Sequence, residues 1–249
     1  LEECRGDWEF CWDRLLEVSR TFSRPIDMLP ARLRVSVTCG YLLCRIADTV
    51  EDHPDLPLER RDALYDSFLS VLEDKADPRL FTRKFCEVPG EGPEHLLAEN
   101  LDRVLEVFGR LPDAMQQVCL RWIGEMTRGM QLYSHRPADE QGLVSVFSVA
   151  DLERYCYYVA GTVGHMLTGL FVDEFDDLSD QRRRRMQEHA EAFGLGLQMV
   201  NIIKDQTDDL ARSRRFIPTQ LVQKHGLTPD ELYEPNHRQT AHDVIAPVM

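Results

Sequence analysis

The sequence predicts an all-α fold, and three observations carry that expectation. Apolar residues recur at three- and four-residue intervals along almost the whole chain, the period that gathers them on one face of a helix. Leu96, Leu97, Leu101, Val104, Leu105 and Phe108 are an example. Sustained two-residue alternation, the mark of a half-buried strand, is hard to find. Proline- and glycine-rich breaks fall near Pro25 to Pro30, Pro54 to Pro57, Pro78, Pro89 to Pro93, Pro112, Pro137, Asp173 to Asp180, Pro218 and Pro229. They divide the chain into about seven or eight helical segments.

In chain order, the segment 31–52 is apolar enough from Val37 to Ile46 to be core. The segments 58–75 and 94–110 carry more charge and are expected to lie outside. The segment 113–134 has apolar and small residues on more than one face, as a central bundle helix does. Residues 135–148 form a long loop with Pro137 and Gly142, the best candidate for a mobile element. The segments 151–172 and 184–211 again read as central helices. The run Arg182 to Arg185 follows an acidic turn and reads as a solvated helix start. With no fixed-period repeat, low-complexity stretch or flexible linker, residues 1–249 are expected to form a single domain.

Composition narrows the function. Forty-three acidic against 29 basic residues leave a formal charge of −14, which argues against nucleic acid or an anionic membrane surface as a partner. An anionic ligand would need help from bound cations. The seven cysteines show neither CxxC spacing nor regular intervals, so no zinc site or disulfide framework is expected, and a reducing cytoplasm fits. The eight histidines are scattered, without ligand-like partners, and read as structural or surface groups. No stretch reaches the ~20 apolar residues of a spanning helix, and the first residues lack the pattern of a signal peptide. A chain that begins without Met and stops inside an apparent helix at Val244 to Met249 is expected to extend further at both ends.

Two acidic motifs carry chemistry. In Asp48-Thr-Val-Glu-Asp52 the first and last carboxylates lie four residues apart, on one helix face. Magnesium takes one or two such carboxylates and completes its shell with water and phosphate. A solvated acidic helix end has the same spacing, and alone the motif is weak. Asp205-Gln-Thr-Asp-Asp209 repeats it, after Gln198, Asn201 and Lys204 set among Leu197, Met199, Val200, Ile202 and Ile203. Polar groups buried there need a partner or a ligand. Two such motifs on two apolar helices would form a cleft able to hold Mg²⁺ and a diphosphate.

Four ordered blocks resemble the squalene and phytoene synthase family. They are Ser19-Arg-Thr-Phe22; Tyr41-Leu-Leu-Cys-Arg45 running on through Asp48 to Asp52; Tyr155-Cys-Tyr-Tyr-Val-Ala-Gly161 with Gly164; and Asn201-Ile-Ile-Lys-Asp205 with Phe216-Ile-Pro218. They span residues from about 10 to 230. The resemblance implies a helical bundle of the class I isoprenoid synthase type with a central cleft, truncated here at its C-terminal end. It implies that Asp48, Asp52, Asp205 and Asp209 bind Mg²⁺-diphosphate. Ser19, Arg20, Tyr41, Arg45 and Arg214 would surround the diphosphates, with Gln198 and Asn201 nearby; arginine suits phosphate through its planar fork. Arg212 and Arg215 stand close enough to compete for the role of Arg214.

Tyr155 would serve the first half-reaction, stabilising a cation or taking part in proton transfer. Tyr157 reads as packing. Gly161 and Gly164 would admit a prenyl tail or a neighbouring helix close to the backbone. The implied reaction is the head-to-head condensation of two molecules of farnesyl diphosphate through presqualene diphosphate, to squalene when NADPH supplies hydride. Hydroxysqualene, dehydrosqualene and phytoene are the alternative products, and a catalytically silent assembly protein is the alternative class. Gln-Thr-Asp-Asp after Asp205 leans toward squalene, because phytoene-type relatives tend to have Val-Gly-Glu-Asp. With no strand to carry a dinucleotide fingerprint, NADPH would bind by a non-Rossmann route. Lys204, where relatives often have Arg, departs from the pattern. A cytoplasmic enzyme, peripheral to the membrane for release of an apolar product, is the expected setting.

Overall fold

The computed structural model describes residues 2–19, 21–138 and 143–245. Its helices are α1 (Arg5–Val18), α2 (Ser23–Asp27), α3 (Ala31–Asp52), α4 (Leu58–Leu72), α5 (Arg79–Phe85), α6 (Pro93–Glu99), α7 (Leu101–Phe108) and α8 (Asp113–Ser134). After a short strand, β1 (Val144–Ser145), come α9 (Val149–Cys156), a π-helical turn (Tyr157–Gly161), α10 (Thr162–Glu174), α11 (Asp180–Lys204) and α12 (Gln206–Ala211). The chain closes with β2 (Arg214–Arg215), α13 (Thr219–Lys224) and α14 (Arg238–Ile245). The all-α expectation holds.

The bounds of α3 and α8 coincide with those the sequence suggests, because proline sets them. Pro30 and Pro112 occupy the N-cap positions with extended backbone. Pro54 drives His53 to φ −66° and ψ 118°, out of the helical region, and ends α3. Between those stops α3 buries nearly every turn: Leu33, Cys39, Leu42, Leu43 and Ile46 are wholly inaccessible. It packs on α1, α7, α8 and α10. One large cluster gathers the buried residues of α1 and α3 to α8 with Met166 and Leu170 of α10. A smaller cluster joins Tyr133, Leu152 and Tyr155 to Ile202, Ile217 and Val222.

Several expectations are corrected. The segment 94–110 breaks at Asn100 into α6 and α7, whose Leu97, Leu101, Val104 and Val107 are fully buried, so only its charged face lies outside. The segment 58–75 stops at Leu72, and Asp74 takes a positive φ of 55° in the turn that follows. The expected loop 135–148 is partly pinned: β1 pairs in parallel with β2, and Val146 N donates to Arg215 O at 3.0 Å. Two-residue strands carry no alternation to read. Gly142 lies outside the described residues.

The segment 184–211 is not a central helix. α11 buries only Ala190, Gly194 and Ile202, while Phe193, Leu197 and Val200 face solvent. It meets the bundle along one narrow seam, where glycines let the backbones touch. A Cβ on Gly164 would sit 2.0 Å from the Ala190 carbonyl oxygen, and one on Gly194 would sit 2.1 Å from the Ala160 oxygen. The glycines of the 155–164 block therefore serve close helix packing. Arg183 is also structural: it donates to the carbonyls of Val172, Phe175 and Leu178, closing the end of α10.

Candidate active site

Along α3, the positions left half-exposed within a buried helix form a stripe: Tyr41, Arg45, Asp48 and Asp52. Their spacing of four, three and four residues keeps them on one face. Arg45 meets Asp48 at 3.5 Å and reaches Glu94 of α6 at 3.4 Å. The Tyr41 hydroxyl donates to the Val18 carbonyl at 3.3 Å, beside the buried Ser19. Ser19 Oγ accepts the Phe22 N–H at 3.0 Å and so shapes the turn into α2. Arg20 lies outside the described residues.

The second motif reaches this stripe through a turn. α11 ends at Asp205 (φ −100°, ψ 13°), so the expectation of a single helix carrying Asp205 and Asp209 is corrected. The i to i−4 bond nevertheless continues, with Asp209 N donating to Asp205 O at 2.9 Å, and the two carboxylates keep near-helical spacing. Beyond α12 the chain turns at Ser213 (φ 59°) into β2. There the three arginines separate. Arg214 donates to the Glu51 carboxylate at 2.9 Å and the Glu51 carbonyl at 2.8 Å, and lies 3.6 Å from Asp52. Arg212 meets Asp52 at 3.5 Å. Arg215 is buried and turned to Asp230 at 2.8 Å.

Tyr155 completes the junction. Its ring stacks on Phe216 with centroids 4.8 Å apart and leans on Tyr133 at 5.2 Å, while its hydroxyl points to Glu51 Oε1 at 3.4 Å. The π turn begins two residues later. It inserts an extra residue per turn and so offsets the face carrying Tyr155 from the one that presents Gly161 and Gly164 to α11. Tyr157 donates instead to Glu125 at 2.5 Å, on the α8 side.

Electrostatics mark the same place. Burial pushes the Asp48 carboxyl up to about 7, with Asp52 and Glu51 adding repulsion and Arg45 opposing it. Because that side chain keeps 33% of its surface exposed, it lies in a cleft and not in sealed core. Asp209 rises to about 6, chiefly through burial; Asp205 and Asp52 add to the rise, and Arg212 and Arg214 work against it. The fields of the two motifs thus overlap at Asp52 and Asp209. Burial likewise raises Glu51, against the pull of Arg214, and holds the Tyr155 phenol well above its ordinary value.

Other expected members stand apart. Gln198 is half-buried, but Asn201 and Lys204 are exposed, so the premise that these polar groups are buried is corrected: α11 turns that face outward. Lys204 contacts Asp205 at 3.4 Å. Sequence reasoning passed over Glu51, and it named Arg212 only as a rival to Arg214. The signal for Glu51 was present, since it shares the core-facing stripe of Cys44 and Ala47, and a carboxylate there demands a partner.

Among the described residues no three His, Cys, Asp or Glu side chains form a ready-made metal cage. The donor set still suits Mg²⁺ arriving with phosphate: two pairs of hard carboxylate oxygens supply part of its shell and leave the remainder to water and ligand oxygens.

An all-helical bundle whose acidic helix end is clamped to a distant acidic turn through arginines has the class I isoprenoid synthase architecture, and the comparisons agree. The model of the squalene/phytoene synthase family matches residues 15–249, and the chain belongs to that family. It is 31% identical to the squalene synthase of Schizosaccharomyces pombe over 95% of its length, and 33% identical to the squalene synthase of Botryococcus braunii over 93%. The solved structure of TcSQS with a bound ligand superposes with a TM-score of 0.80 at 32% identity, covering 98% of this chain and 67% of that one. The chain spans about half the length of the curated relatives it matches, 49% and 47% for these two.

Proposed function

We propose that residues 1–249 act as one isoprenoid synthase domain that joins two molecules of farnesyl diphosphate head to head, through presqualene diphosphate, to squalene. The observation that supports this most directly is the clamp of Arg214 on Glu51 and Asp52, which sets the first carboxylate motif against Tyr155 within the electrostatic reach of Asp209. Asp48 and Asp52 on one side, and Asp205 and Asp209 on the other, would hold the diphosphates through Mg²⁺. When bound, the metal supplies the Lewis acidity that lets diphosphate depart from an allylic carbon.

The protein's own contribution is positional. Arg45 and Arg214 place fixed positive charge where the leaving oxygens gather charge, an electrostatic stabilisation that needs no reorganisation. Tyr155 is held by two aromatic rings and by Glu51, so its phenol meets the reacting carbons in one orientation. Its raised pKa keeps the phenol protonated, which suits a group that stabilises a cation through its ring and hydroxyl oxygen without becoming a base in solution. Hydride from NADPH would quench the final cation. No helix of the described residues is long and apolar enough to cross a membrane.

Incubation with farnesyl diphosphate and Mg²⁺, with and without NADPH, followed by mass analysis of the lipid extract, tests the reading. The expected result is a C30 hydrocarbon, fully reduced only with NADPH, and no turnover in chelator. A C40 product made more efficiently from geranylgeranyl diphosphate would overturn the chain length. Absence of any prenyl product would overturn the reaction.

A further inference from the structure

A groove of about 1020 Å³ runs along α8, on the face opposite the buried Cys119, Ile123 and Met126. None of its lining residues belongs to the α3 stripe, the second acidic motif or the Tyr155 junction. Leu120 and Leu132 of α8, Leu69 and Leu72 of α4 and the Tyr158 ring give it apolar walls. Leu132 is 58% exposed and adjoins these other apolar groups, so it forms part of a patch and not an isolated surface leucine. Depth comes from glycine. A Cβ on Gly124 would meet only the flexible guanidinium of Arg128, at 3.1 Å, so the missing side chain leaves open space at the groove floor. Gly129 does the reverse: Tyr158 Cγ lies 2.2 Å from its Cβ position, which seats that ring on the helix as a wall.

Size and charge select the occupant. The volume stands at the upper end of the roughly 300–1,000 Å³ of small-molecule sites. Most charged groups at the rim are answered within the protein: Arg128 is taken by Glu73 at 2.5 Å, and Glu125 accepts from Tyr157 at 2.5 Å. Arg121 is different. Its guanidinium lies over the Trp122 ring, 4.5 Å from the centroid, and among the described residues no carboxylate pairs with it. Gln117, one turn earlier on the same face, adds an exposed amide donor. A planar fork held on an indole suits a single carboxylate, which it binds through two parallel hydrogen bonds. A diphosphate suits the groove poorly, because Glu73, Asp74 and Glu125 border it and repel several negative charges more than one.

We propose that this groove binds a long-chain monocarboxylate, a fatty acid, with its carboxylate on Arg121 and Gln117 and its chain laid over Gly124 between Leu72, Leu120 and Leu132. Burial of the chain supplies the affinity, and Arg121 sets its direction. Binding here goes beyond the proposed synthesis, and neither requires the other.

Titration calorimetry with palmitate, kept below its aggregation concentration and in chelator without prenyl substrate, tests the site independently of turnover. The parent is expected to bind one palmitate saturably, and to bind hexadecanol, which has the same chain and no charge, about tenfold more weakly. Arg121→Gln should weaken palmitate roughly tenfold, the scale of one charge-assisted hydrogen bond, and leave hexadecanol unchanged. Gly124→Leu fills the groove floor and should abolish binding of both, with a melting temperature no lower than the parent's. Leu132→Glu, at an exposed position, is the second variant should Gly124→Leu fail to fold, and it should weaken palmitate at least tenfold. No saturable binding by the parent, palmitate held as tightly by these variants as by the parent, or hexadecanol held as tightly as palmitate overturns the proposal. Displacement of bound palmitate by farnesyl diphosphate would put the fatty acid in the carboxylate cleft and overturn it as well.

Discussion

Asp48 has the most testable titration. Its carboxyl is raised to about 7 by burial and by Asp52 and Glu51, whereas in the unfolded chain it ionises at its ordinary 3.8. Between those values the folded protein retains a proton that the unfolded chain has released, so this residue weakens the fold as pH rises through the window. Scanning calorimetry in chelator should show Asp48→Asn melting above the parent at about pH 7.5 and level with it near pH 4. An equal gap at both pH values would mean that the carboxyl is ionised throughout. Glu51 is raised in the same direction, but its removal would leave the Arg214 guanidinium, 2.9 Å away, without its partner. Glu51→Gln keeps the shape but removes the counter-charge, and a denaturant midpoint should report a loss of about 2 kcal/mol, within the range for hydrogen bonds to charged groups. Tyr155→Phe, which gives up only a long 3.4 Å contact, should leave that midpoint nearly unchanged and still lower kcat by ~10²-fold, about 2.7 kcal/mol of transition-state stabilisation. A Tyr155→Phe variant with parental kcat would remove the phenol from the chemistry.

Helices α10 and α11 meet through backbone instead of side chains. The Cβ positions of Gly164 and Gly194 fall 2.0 Å and 2.1 Å from the opposing carbonyl oxygens, closer than any methyl can stand, so alanine at either must push the helices apart. Overpacking of this kind costs roughly 1–3 kcal/mol or more, and Gly164→Ala is expected at the upper end in a urea titration. Gly196 on the same helix offers an internal control, because nothing lies within 4 Å of its added Cβ. Gly196→Ala should stabilise by about 0.5–1 kcal/mol through helix propensity alone. Similar losses at both glycines would show that the seam tolerates displacement. The π turn depends on the same seam: Gly161 has Leu195 only 3.0 Å from its Cβ position, so the turn offsets Tyr155 toward Glu51 while the glycines keep their place against α11.

Across the whole molecule, the carboxylate cleft draws its sides from positions about 160 residues apart, as in the contact of Arg212 with Asp52. A ligand bridging them should therefore stabilise the fold globally, by about 2.7 kcal/mol at a hundredfold excess over its Kd. Inorganic diphosphate with Mg²⁺ is expected to raise the melting temperature of the parent above the value with diphosphate alone, and that increment should vanish in Asp209→Asn. An increment equal in parent and variant would place the metal elsewhere. The sequence by itself determined the all-α class and the limits of α3 and α8, because helical period and proline stops act through neighbouring residues. It also held the i, i+4 pairing within each motif, a consequence of local geometry. Only the tertiary structure decided that Arg212 and Arg214 reach Asp52 while Arg215 turns to Asp230, since the three are alike in sequence and differ in where the turn at Ser213 and the pairing of β1 with β2 point them. It alone placed Glu51 against Arg214 and Tyr155, and turned Asn201 and Lys204 outward on a helix whose apolar residues suggested burial. Those outcomes depend on contacts between segments far apart in the chain, where packing and charge compensation override the local pattern.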